Sequence, residues 1–145
     1  MFVTDRIYNN KAKAFNKDHF SLVQLRVARH TTDIKAIKKF YIHFLGLELL
    51  GEFQGHDDYD GFFIGREGLD WHLEFTVAAH VPIHKADDDD LLVFYPGSMD
   101  EVETIIDRSE QLQIKATDAR NPYWTKKGMT FLDPDGFGVV VVKPE

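Results

Sequence analysis

The chain has 145 residues, enough for one domain or two closely packed half-domains, and 43% hydrophobic with 13% aromatic content suffices for a buried core. Seventeen Lys and Arg against 24 Asp and Glu leave a net charge of −7, which excludes a nucleic-acid binder because phosphates need a basic face. The absence of cysteine excludes disulfides, thiolate nucleophiles and zinc–thiolate sites, and fits a reducing cytoplasm.

Residues 1–20 mix Asn, Lys and isolated aromatics without a sustained period. They are expected to form an N-terminal extension in which Phe2, Ile7 or Phe15 packs locally. They lack the continuous apolar stretch of a signal peptide, and no run in the chain nears the roughly 20 residues that cross a bilayer. A cytoplasmic protein without membrane partners is therefore expected. Residues 21–29 form the first predicted strand, in which Val23, Leu25 and Val27 alternate with Gln24, Arg26 and Ala28, so one face should be buried. Ile34, Ile37, Phe40, Tyr41, Phe44 and Leu45 then recur at helical spacing and predict a helix over 32–45. Thr31 or Thr32 is its expected cap, and Gly46 its stop. Strands follow at 47–53, 61–66 and 71–77, separated by 55–59 and 67–68.

The same order then recurs. Residues 91–95 read as a strand, and Ser98 with Glu101 forms a capping box for a helix whose apolar stripe is Met99, Val102, Ile105 and Ile106. Short strands are predicted near Ile114 and at 129–132. Asp133, Pro134, Asp135 and Gly136 make a turn, because proline presets one dihedral and glycine accepts positive φ. Residues 139–142, all valine, predict a strand buried on both faces.

Two segments carry a family resemblance. Asp33 and Ile34 followed by Phe40, Tyr41, Leu45, Gly46 and Leu47 resemble the first helix of vicinal-oxygen-chelate proteins and its entry into the second strand. Thr130, Phe131, Leu132, Asp133, Pro134, Asp135 and Gly136 resemble the turn before their last strand. The resemblance spans about residues 21–145. It implies an α+β fold of two βαβββ modules, 21–80 and 81–145, whose curled mixed sheets form a cup within one domain. The family includes glyoxalases, dioxygenases, fosfomycin-modifying enzymes and drug-sequestering bleomycin-resistance proteins, so fold leaves function to the site.

In the family's enzymes a divalent metal is held from the first and last strands of each module, where it polarises substrate oxygens. The resemblance places Gln24 or Arg26 at the first position; Gln can ligate through its carbonyl oxygen, whereas a permanently charged Arg cannot. Glu74 falls on the second position. The third shows Asp89, Asp90 and Leu91, with Asp87–Asp90 read as a solvated turn. The fourth falls on Val140, which has no donor atom. No cofactor is therefore expected, and a divalent ion on Glu74 and Gln24 is the alternative.

If the first and fourth strands are neighbours, as the family implies, Arg26 approaches His72 or Glu74. It either satisfies a buried charge or recognises a carboxylate or phosphate. His72, two residues from Glu74 on the same strand face, is the candidate acid or base. Asn121, Tyr123 and Trp124 are expected at the cup's rim, where the rings could stack on a flat ligand. Phe62, Phe63, Phe75, Phe94 and Phe131 are assigned to the core, and the remaining histidines to loops and surface. The reading is a small-molecule-binding protein that sequesters or detoxifies an aromatic or anionic compound, forming a homodimer as the family does. The alternative is a metal-dependent lyase, isomerase or dioxygenase.

Overall fold

Alternation and helical stripes translate into a mixed α and β architecture in the computed structural model, which describes residues 17–19 and 21–145. The packing expected of Phe2, Ile7 or Phe15 lies outside the described residues. In chain order come β1 (Leu25–His30), α1 (Ile34–Lys38) continued by a π-helical segment (Lys39–Phe44), β2 (Glu48–His56), β3 (Tyr59–Gly65) and β4 (Trp71–Val77). Then follow β5 (Leu91–Phe94), α2 (Met99–Gln111), α3 (Pro122–Lys127), β6 (Gly128–Leu132) and β7 (Gly138–Val142). Among the described residues the strands form two separate mixed sheets, ordered β1-β4-β3-β2 and β5-β7-β6, with β1–β4 and β5–β7 parallel.

The side chains between the sheets form one shared core. Tyr41, Phe44, Phe62, Phe75, Phe131 and Val139 are each essentially inaccessible. Rings meet across the modules, with Phe44 and Phe131 4.9 Å apart at 72° and Trp71 and Phe94 6.0 Å apart. The π-helical segment follows from five-residue hydrogen bonds such as Leu45 N to Phe40 O at 3.0 Å. Gly46 ends it at φ +89, and a Cβ there would stand 2.7 Å from the Arg108 guanidinium, which donates to Phe44 O. Glycine meets both demands.

Several expectations change. The helix cap is Asp33, whose side chain accepts from Ala36 N at 3.0 Å, rather than Thr31 or Thr32. The apolar face of the first strand is not buried: Val23, Leu25 and Val27 are 73%, 50% and 36% exposed. The reason is position, since β1 is an edge strand and α1 packs on β4. The strand predicted near Ile114 reduces to one bridge between Thr117 and Thr130, so the second sheet has three strands. Ser98 caps α2 as its spacing predicts, although Glu101 reaches back to Gly97 N rather than to Ser98.

Candidate functional site

Strand pairing decides which predicted residues meet. In the parallel β1–β4 ladder Arg26 stands opposite His72, and in β3–β4 Phe63 stands opposite Glu74. Side chains alternate across a strand, so Gln24, Arg26, His72, Glu74 and Phe63 share the face turned away from the common core. Arg26 Nε donates to His72 Nε2 at 2.8 Å, and its Nη1 lies 3.4 Å from Glu74 Oε2. The guanidinium carbon sits 4.6 Å from the centre of the Phe63 ring. Phe53, 5.6 Å from Phe63, extends the aromatic floor, over which Gly61 leaves room.

Hydrogen-bond roles follow from the arginine. A guanidinium only donates, so His72 Nε2 is an acceptor. In its neutral form the imidazole then holds its proton on Nδ1, which faces Gln24 Nε2 at 3.4 Å, a contact between two donors rather than a hydrogen bond. The Nε2 lone pair, which a general base would need, is occupied by Arg26. His72 is 8% exposed and Glu74 is shielded, with 15% of its side chain accessible, whereas the Arg26 side chain is 49% accessible. The result is an anchored cation open to solvent beside an aromatic face. It can bind a carboxylate or phosphate while stacking an adjoining flat group.

These residues do not make a fitting divalent-metal site. Glu74 already faces the Arg26 guanidinium, a permanent cation that would repel a metal ion beside it. Asp90 accepts from Asp87 N in an exposed turn that Arg120 also engages. Val140, fully buried, has no donor atom. Among the described residues no group of three or more His, Asp or Glu is placed to hold a metal.

Asn121, Tyr123 and Trp124 belong to the other module. They open α3: Asn121 Oδ1 accepts from Tyr123 N at 3.1 Å, and Pro122 occupies the first turn. This helix packs on β6 and β7. Tyr123, 52% exposed, meets Trp124 edge to face at 4.8 Å. No hydrogen bond, ion pair or ring contact joins them to the Arg26 group among the described residues.

Two features escape the sequence reading. Phe63 was expected in the core with Phe62, yet adjacent residues of a strand face opposite ways, so only one of the pair can face the core. Asp133 was read as a turn former alone. It is also a buried joint, accepting from Tyr41 Oη at 2.6 Å and Arg29 at 3.2 Å through Oδ2, and from Asp135 N and Phe137 N through Oδ1. Burial, reinforced by the neighbouring Asp133 carboxylate, pushes the Tyr41 hydroxyl far above the usual tyrosine range.

Residues 25–76 match the YycE-like N-terminal domain and residues 89–143 the YycE-like C-terminal domain. The uncharacterized protein YycE of Bacillus subtilis (strain 168) is 37% identical over 124 residues, 83% of this chain and 88% of its own. A YycE crystal structure from Bacillus subtilis superposes with a TM-score of 0.77 at 34% identity, covering 92% of this chain and 96% of that one. More distant folds include TnmS3, an antibiotic-binding protein from Streptomyces sp. CB03234 (TM-score 0.59, 20% identity, 85% and 95% coverage). The fosfomycin resistance protein FosX from Listeria monocytogenes, complexed with Mn(II) and a dihydroxypropylphosphonic acid, superposes at 0.63 with 12% identity and 83% and 90% coverage.

Proposed function

Because the chain belongs to the YycE-like family of vicinal-oxygen-chelate proteins, we propose that it binds an anionic small molecule on the Arg26–Phe63 face and thereby sequesters or detoxifies it. One observation carries this reading: a half-exposed guanidinium is fixed by His72 and Glu74 above an aromatic ring. A fixed arginine loses little freedom when it captures a planar anion, and the Phe63 ring favours a flat or apolar body next to the charge. His72 and Glu74 orient Arg26. TnmS3, an antibiotic-binding protein, is a precedent for small-molecule binding on this fold.

The proposal includes a homodimer. β1 is an edge strand on which Leu25 and Val27 are open, and with Leu22 and Val23 in the segment just before it they make an apolar strip that a second copy would cover.

The test is calorimetric titration of the protein with benzoate and, as the neutral comparison, benzamide. Arg26→Leu should weaken benzoate by about tenfold, the lower end of a charge-assisted hydrogen bond for a half-exposed group, and leave benzamide unchanged. Equal weakening of both compounds would overturn anion recognition by Arg26.

A further inference from the structure

His72 and Gln24 face two places at once. Beyond them, where β3 turns into β4, a groove of about 340 Å³ runs along Leu49, Leu50, Leu69 and Trp71, with Glu48, Arg66 and Glu67 at its sides. That volume lies within the range of small-molecule sites, about 300–1,000 Å³. Leu49, Leu50 and Leu69 are 46%, 41% and 41% exposed, so three leucines offer apolar patches in a groove whose open surface is otherwise mainly polar. Leu50 is there because a register shift between Leu49 and Gly51 turns it over Gly65, where an added Cβ would be 3.3 Å from its Cδ1.

The charges of the groove tell against a second anion. Arg66 is occupied by Glu48 at 3.5 Å and Glu101 at 3.8 Å, and Glu67 adds another negative charge. An anionic group is repelled there and attracted at Arg26, while an uncharged aliphatic segment gains by covering the leucines. His72 and Gln24 line the groove, and His72 also bonds Arg26, so the two places are neighbours that share these residues.

Resting on the anion-binding reading above, we infer that the natural ligand is an amphiphile: a carboxylate or phosphate head held by Arg26 and an aliphatic tail lying in the Leu50–Leu69 groove. Charge and apolar surface are thus divided between two adjoining subsites.

Straight-chain carboxylates from acetate to decanoate, titrated into the full chain, test the division, with benzoate as the tail-less reference. Affinity should rise up to about fourfold per methylene over the middle of the series and then level off once the groove is filled. Leu69→Asp, a change in an exposed turn, should flatten the rise while leaving acetate and benzoate unaffected. Leu50→Ser should do the same, so the result does not depend on one variant. A length-independent series in which benzoate still binds through Arg26 would overturn the groove and leave the anion site standing. So would a rise that persists in both variants. Failure of every carboxylate, benzoate included, would overturn both.

Discussion

Asp133 uses both carboxylate oxygens for structure. Oδ1 folds its own turn, and Oδ2 ties that turn to Tyr41 and to Arg29, whose guanidinium also stacks 3.6 Å from the centre of the Phe137 ring. The turn was legible from proline and glycine, but the joint was not, because its partners lie 92 and 104 residues away. Arg26, His72 and Glu74 were legible as a group only because the family resemblance makes their strands neighbours; Phe63 was accessible from alternation alone. At Tyr41 the physics gives a signed prediction. Tyr41→Phe should cost about 1.5–3 kcal/mol at neutral pH, the worth of a hydrogen bond to a charged acceptor, measured by urea unfolding. Folding raises the hydroxyl pKa, so the folded chain keeps a proton that the unfolded chain releases near the ordinary value of 10.0. The contribution is complete below that pH and is lost above it. The stability gap between wild type and Tyr41→Phe should therefore narrow as pH rises past 10; a constant gap would contradict the linkage.

Among the elements, period-two alternation located the strands, and β4 has the bounds the sequence predicts. Alternation says which residues share a face but not whether anything covers it, which is why β1 misled. The groove was equally hidden, since Leu50 reaches it through a register shift that no local pattern announces. The helix at 122–127 was not read from the sequence, although Asn121 is a good cap and Pro122 a good first-turn residue. The open β1 edge gives the prediction at this scale. Sedimentation at tens of micromolar should give a dimer mass, and Leu25→Lys with Val27→Lys should give a monomer with an unchanged circular dichroism spectrum. A wild-type monomer at that concentration would remove β1 from any dimer.

At the scale of the molecule, repeated element order predicts two modules but is silent on whether they are independent. Their sheets are separate, yet the buried residues form one cluster drawn from both halves: Tyr41, Phe62 and Phe75 with Val102, Phe131 and Val139. Asp133 adds a buried ionic tie between the halves. Neither half could keep its core dry alone, because each would expose the rings that the other covers. The chain should therefore unfold in one transition. Its two tryptophans report separately, Trp71 from β4 and Trp124 from α3. In Trp124→Phe fluorescence follows the first module, and in Trp71→Phe it follows the second. Within each variant, the fluorescence midpoint in urea should coincide with that of far-ultraviolet circular dichroism. If Trp71 and Trp124 instead reported midpoints on opposite sides of the dichroism midpoint, the modules would be separately stable and the shared core would not be what unites them.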